Sequence, residues 1–217
     1  MFSVIFDMDG TLLDTQKICI PAWEDSGRRQ GIVGMGNDIV SVCGMNETGW
    51  TKYISQKYKN LDIVRFKQEM REYIIQNGVV KFKDGAKELL DFLKNHNIKL
   101  AIASGSSKET IYHHLGKVDA LNKFDAIVGG RDVENGKPAP DIFLKAAELL
   151  DTPPEKCFIF EDSANGIIAG FKAGMKCIGI PDIVPFDSKT KKLMYKELLS
   201  LSQAIPIFEE YIKSSPN

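Results

Sequence analysis

Apolar and polar positions follow two different periods along this chain, and the change of period divides it. The opening stretch, MFSVIFDMDGTLLDT, is a mostly apolar run that stops abruptly at Asp7-Met8-Asp9-Gly10-Thr11, with a third aspartate at Asp14. The run reads as a buried strand. Residues 16–78 carry no strand pattern. Over 16–30, 47–58 and 62–77 the apolar residues fall three and four apart among charges, the spacing of amphipathic helices, and Asn77-Gly78 is a helix stop. From residue 84 the pattern alternates. DGAKELLDFLKNHN reads as a helix, IKLAIAS as a strand, SKETIYHHLG as a helix and FDAIVGG as a strand. PDIFLKAAELLD, CFIFED, SANGIIAGFKAG and MKCIGI continue as helix, strand, helix and strand, and SQAIPIFEEYIK closes the chain as a helix. Strands alternating with helices predict an α/β fold, a parallel sheet covered on both faces. Because the first strand stands far ahead of its partners, 16–78 reads as an inserted helical domain in a core built from 1–15 and 79–217.

Composition narrows this little. The apolar fraction of 43% and charged fraction of 26% are those of an ordinary globular protein. The 28 lysines and arginines nearly cancel the 29 aspartates and glutamates, which argues against nucleic acid or a membrane surface as partner. No apolar run approaches a membrane span, and the first residues lack the basic and apolar regions of a secretory leader. Cys19, Cys43, Cys157 and Cys177 form no CxxC pair. A reduced, cytoplasmic protein is expected.

The chemistry emerges from the residues at the C-terminal ends of the strands, the edge where open parallel sheets bind ligands. The first strand ends at Asp7 and Asp9, the next at Ser104-Gly105-Ser106. Lys137 follows the third, and the fourth ends at Glu161-Asp162. Each piece has a bland reading: Asp-Gly suits a turn, the serines and acids could cap helices, and a lysine is usually solvated. A calcium-binding EF-hand loop is excluded, since the twelfth position from Asp7 is Ile18 rather than glutamate. Together, carboxylates grouped at one edge suit Mg2+, and a hydroxyl, backbone amides and an ammonium suit phosphate oxygens. An aspartate can attack phosphorus, and a carboxylate two residues along can move the protons.

DMDGT, ASGS, GKPAPDIF and FEDSANGIIAGFKAGM resemble, in order and spacing, the four motifs of the haloacid dehalogenase superfamily, nearest to its phosphatase and β-phosphoglucomutase-like branch. The resemblance implies a doubly wound, Rossmann-like core with residues 16–78 as a helical cap. Asp7 would be nucleophile and Mg2+ ligand. Asp9 would be general acid/base, with its main-chain carbonyl on the metal. Asp162 would complete the ligands, with Glu161 assisting. Ser104 and Lys137 would hold the phosphoryl oxygens, and Gly10, Thr11, Gly105 and Ser106 would line the same group. The partner implied is a small phosphorylated metabolite, a sugar phosphate being the expected kind.

Three readings compete. One is a Mg2+-dependent phosphatase; another is a sugar-phosphate mutase. The third, a phospho-accepting receiver module, fails on layout, since receivers are shorter and carry their aspartate after the third strand. Against the mutase, the position of its cap histidine is Cys19. The position of its phosphate-gripping cap arginine, aligned on Gly44-Met45-Asn46-Glu47, is Glu47, whose charge would repel a phosphate, although Lys52 could replace the arginine. Hydrolysis is therefore preferred. His113 and His114, adjacent on a helix, cannot share a metal and, with His96, are expected at the surface or a helix end. Cys157 and Cys177 are expected as buried hydrophobes, Trp23 and Trp50 as packing in the cap, and SKTKKLMYKE as a solvated helical face. Arg65, Lys67 and Arg71 of the cap are unassigned.

Overall fold

A computed structural model of the chain describes residues 2–42, 45 and 47–214, so Cys43 and the Gly44 and Asn46 of the mutase alignment lie outside the described residues. In chain order the elements are β1 Ser3–Phe6, α1 Gln16–Arg28, α2 Ile39–Val42, α3 Glu47–Lys57, α4 Ile63–Asn77, α5 Ala86–Asn95, β2 Lys99–Ala103, α6 Lys108–Lys117, β3 Ala126–Val128 and α7 Asp141–Leu149. There follow β4 Cys157–Glu161, α8 Ala164–Lys172, β5 Lys176–Gly179, α9 Ser188–Lys191, β6 Lys196–Glu197 and α10 Ile205–Ser214. Among the described residues, no helix is long and apolar enough to cross a membrane.

The six strands form one parallel sheet in the order β3-β2-β1-β4-β5-β6. β1 is central and wholly buried, with Ser3 opposite Lys99 of β2 on one side and Cys157 of β4 on the other. Side chains along a strand alternate between faces, and both faces here are apolar. Val4 and Phe6 join Leu100, Ile102, Phe158 and Phe160 beneath Leu89 and Leu93 of α5, Ile111 and Leu115 of α6 and Phe208 of α10. Ile5 turns the other way, with Ala101, Ala103 and Ile159, against Ile142 and Phe143 of α7 and Ile167 of α8. This is the expected doubly covered α/β sheet. Its strand order reverses between β1 and β4, the crevice in which such sheets place their ligands.

The helices between β1 and α5 pack around a separate cluster of Trp23, Met35, Ile39, Val42, Ile54 and Phe66. Trp23 meets the Phe66 ring edge-on at 5.4 Å and lies 5.4 Å from the Trp50 ring, so both tryptophans pack there. Two chain passes join these helices to the sheet, and they are tied to each other. Asp14 N–H donates to Lys81 C=O and Lys83 N–H to Leu12 C=O, both at 2.9 Å, around an antiparallel bridge between Leu13 and Phe82.

One expectation fails in the last quarter of the chain. SKTKKLMYKE is not a continuous helical face: only Ser188–Lys191 is helical, and Lys196–Glu197 forms β6. A two-residue edge strand carries no periodic pattern to read. Its backbone holds it, through Tyr195 N–H on Cys177 C=O at 2.7 Å and Leu198 N–H on Gly179 C=O at 2.9 Å.

Candidate active site

Asp7 is the first residue past β1, and its N–H still donates to Phe160 C=O on β4 at 3.0 Å. Glu161 ends β4, with Asp162 next, so the strands flanking the switch point deliver three carboxylates to one crevice. Ligand oxygens of Asp7, Glu161 and Asp162 all lie within 4.8 Å of one another, and all three residues are buried. Lys137, on the loop after β3, reaches into them. Its Nζ donates to Asp7 Oδ1 at 2.5 Å, Glu161 Oε1 at 2.5 Å and Ala103 C=O at 3.1 Å.

Three buried carboxylates against one ammonium leave an excess of negative charge in a region of low dielectric. Burial pushes the Asp7 carboxyl up, to about 8; the nearby Lys137 charge lowers it, while Glu161 and Asp9 raise it. Asp162 is also driven well above the ordinary carboxylate range, by burial first and then by Glu161 and Asp7. Lys137 is held charged: burial opposes this, but Asp7 and Glu161 together raise its pKa.

The remaining contacts fix these groups in place. Asp162 accepts from Thr11 Oγ1 at 3.1 Å and from Gln16 Nε2 at 2.6 Å. Gln16 Nε2 also lies 3.1 Å from the Asp9 main-chain carbonyl, so one amide nitrogen bridges the two oxygens that the resemblance assigns to a metal. Glu161 Oε2 accepts from the Ser163 N–H at 3.0 Å and from its hydroxyl at 2.8 Å, and Ser163 caps α8 through Gly166 N–H. A Cβ on Gly166 would fall 1.9 Å from the Glu161 carboxyl, so only glycine admits that side chain over the helix end. Gly10 has φ of +85°, and a Cβ there would lie 2.5 Å from Asp162 Oδ2.

Asp9 belongs to a second group. Its Oδ2 accepts from Ser106 Oγ at 2.8 Å and Ser104 Oγ at 3.3 Å, and its Oδ1 from Thr15 Oγ1 at 2.7 Å. Ser104 Oγ also accepts from Ser106 N–H at 3.1 Å, and the helix cap on α6 is Ser107. The candidate catalytic, phosphate-binding and metal-ligating residues named from the sequence therefore lie at this edge. The Thr11 hydroxyl faces Asp162, and Gly105 lines a neighbouring cavity.

Sequence reasoning missed Thr15, Gln16 and His114. His113 is exposed and His96 ends α5, as expected. His114, expected at the surface or a helix end, lies in the last turn of α6, but its side chain is mostly buried, with Nδ1 3.8 Å from Asp9 Oδ1. Burial lowers its pKa, opposed by Asp9. The signal was available: Ile111 and Leu115 mark the buried stripe of α6, and position 114 flanks it whereas 113 does not.

A cavity of about 410 Å³ opens beside the site, lined by Glu47, Thr48, Thr51, Lys52 and Lys67 from α3 and α4 and by Gly105, Ser107, Gly130 and Arg131 from the sheet edge. Glu47 is not the repelling charge the sequence indicated. Lys67 lies 3.0 Å from it and Arg131 3.5 Å, and the Lys67 hydrogen bond, with these cations, holds its carboxyl below the usual range. Three cations and one carboxylate make this lining net positive. Of the unassigned cap cations, Arg65 pairs with Glu69 at 2.9 Å.

The family model described as haloacid dehalogenase-like hydrolase matches residues 4–180, which include every residue of both groups. The chain belongs to that family. This hydrolase is 32% identical over 181 residues to the phosphorylated carbohydrates phosphatase of Thermotoga maritima, covering 82% of this chain and 84% of the other. It is also 32% identical over 197 residues to the β-phosphoglucomutase of Bacillus subtilis, covering 83% of each. Among solved structures, the β-phosphoglucomutase of Clostridium difficile superposes with a TM-score of 0.79 at 27% identity, over 98% of both chains. The hydrolase thus sits in the phosphatase and β-phosphoglucomutase-like branch, as its four motifs indicate.

Proposed function

We propose that this hydrolase is a Mg2+-dependent phosphatase of a small phosphorylated metabolite, a sugar phosphate being the best fit. In this reading residues 16–78 are the cap and 1–15 with 79–217 the catalytic core. The observation that carries the proposal is the buried Asp7–Lys137–Glu161–Asp162 cluster at the switch point of the sheet.

The donor set fits a hard divalent cation: buried carboxylates in excess over ammonium, and an amide N–H of Gln16 bridging Asp162 and the Asp9 carbonyl. Asp7, Asp162 and the Asp9 carbonyl would hold Mg2+. Glu161, whose two oxygens are already engaged by Lys137 and Ser163, would assist from behind. When bound, the ion supplies charge neutralisation and polarises the phosphoryl group.

The residues of the chain do the rest. Lys137 favours the ionised form of Asp7 against the burial that raises it, and offsets the phosphoryl charge, with Ser104 and the Gly10, Thr11, Gly105 and Ser106 segments lining that group. Asp7 attacks phosphorus, the ester P–O bond breaks, and Asp9 protonates the departing oxygen. Asp9 then takes a proton from water as the water attacks the aspartyl-phosphate, returning Asp7 and releasing phosphate. The cavity between α3, α4 and the sheet edge, with threonine hydroxyls and a net positive lining, suits the hydroxylated remainder of the substrate.

Hydrolysis is preferred over mutase chemistry on Cys19. Its Sγ turns to Thr15 C=O at 3.4 Å, and a thiol is too weak a donor for the work of a cap histidine. The mutase reading retains one supporting observation, the net positive lining around Glu47. Supplying β-glucose 1-phosphate with a trace of the 1,6-bisphosphate separates the two. Free phosphate appearing faster than glucose 6-phosphate supports hydrolysis; the reverse order establishes the mutase.

A further inference from the structure

His114 presents an unusual situation at the edge of the site. Its side chain is only 13% exposed, and Nδ1 is buried with no hydrogen-bond partner among the described residues. Leaving a polar ring atom buried and unpaired is costly, and such an atom calls for an explanation. Asp9 Oδ1 lies 3.8 Å from Nδ1, so a small rotation of either side chain closes a hydrogen bond.

The other contacts of Asp9 show what that bond would add. Oδ2 faces Ser104 and Ser106, the loop assigned to the phosphoryl group, while Oδ1 faces Thr15 and His114. The three serine and threonine contacts are hydroxyls, which donate or accept as required and so do not decide which oxygen of Asp9 carries a proton. A neutral imidazole protonated at Nδ1 can only donate there. It is satisfied when Oδ1 is bare and opposed when Oδ1 holds a proton.

We propose that His114 is a positioning residue for Asp9: its Nδ1–H holds Oδ1, so that the proton Asp9 exchanges with substrate and water sits on Oδ2. The inference rests on reading Asp9 as the general acid/base. The balance is simple. The departing oxygen takes its proton from Oδ2, the attacking water returns one to Oδ2, and His114 neither gains nor loses a proton.

The test compares kcat/KM, with Mg2+, for phenyl phosphate and p-nitrophenyl phosphate. The two share a ring, but phenolate leaves poorly without a proton, whereas the nitro group lets its phenolate leave unaided. Because kcat/KM ends at the first phosphoryl transfer, it isolates the acid step. His114→Leu is expected to lose about tenfold on phenyl phosphate and less than about threefold on p-nitrophenyl phosphate, a modest share of what general acid catalysis supplies. His114→Asn, whose amide lies near the Nδ1 position, is expected to recover most of the loss, and His114→Gln, whose amide lies nearer Nε2, is not. Urea unfolding of each variant identifies a folding defect, and if His114→Leu does not fold, the contrast between Asn and Gln decides. Equal losses on both substrates, or Asn no better than Gln, overturn the proposal and leave His114 a packing residue. Asp9→Asn is run alongside: if it discriminates between the two substrates as the wild type does, the acid/base reading of Asp9 fails and takes the proposal with it.

Discussion

The charge balance of the site turns on Lys137, which is buried and bonded to both Asp7 and Glu161. Replacing it with alanine strands two carboxylates in the interior. Loss of one partner of a buried pair costs about 3–5 kcal/mol, so Lys137→Ala should show a stability deficit of that order by urea unfolding as well as lost turnover. Gly166→Ala should also be damaging, though less so and for a different reason, since a Cβ 1.9 Å from the Glu161 carboxyl must push that side chain off its place. A cost of about 1–3 kcal/mol is expected from such overpacking. A variant as stable as wild type would mean that Glu161 has another position to occupy. The sequence announced Asp7, Asp9, Ser104, Lys137, Glu161 and Asp162, because each stands at the C-terminal end of a recognisable strand or on the loop that follows it. It did not tie Gln16 or His114 to these groups, since their partners are far away in the chain or on another element; for His114 only its place beside the buried stripe of α6 could be read.

At the scale of elements, the candidate catalytic groups depend on helix starts. Ser163 caps α8, donates its hydroxyl to Glu161 Oε2 and so joins helix formation to the acidic cluster. Ser163→Ala should therefore cost more than an ordinary cap, for which about 1 kcal/mol is typical, because it also leaves a buried carboxylate oxygen one donor short. A deficit under about 0.5 kcal/mol by urea unfolding would count against that coupling. Thr15 stands at the N-cap of α1 without capping it, its hydroxyl being turned to Asp9 instead. The link from the helical insertion to the candidate acid/base thus runs through the first residues of α1. Strands β1 to β5 and the longer helices between them were legible from their apolar periods, whereas the four-residue α2 was not read. β6 was not, because backbone pairing alone defines it. The role of Glu47 was misjudged for a related reason: one of its two cationic neighbours, Arg131, comes from the loop after β3.

The whole molecule is an apolar scaffold carrying a buried cluster that favours protons or a cation, and this gives its stability a particular pH dependence. Burial raises Asp7 to about 8 and Asp162 in the same direction. In the metal-free protein these groups keep their protons in the folded state after the unfolded chain has lost them. That contribution is complete below the ordinary carboxylate range and is lost as pH rises through about 8. In the proposed reading Mg2+ would displace those protons, so its stabilisation of the fold should grow between about pH 5 and about pH 8. Thermal unfolding with chelator and with Mg2+ across that range checks this, and a metal-induced shift independent of pH would contradict it. The central claim is that Asp7 is the nucleophile of a phosphatase, and it is tested most directly by turnover of p-nitrophenyl phosphate with Mg2+ by wild type and Asp7→Asn. Asparagine is isosteric but cannot attack phosphorus as an anion. The account predicts steady release of phosphate over many turnovers by the wild type and less than about a thousandth of that rate in the folded variant; a larger residual rate would remove Asp7 from the nucleophile role.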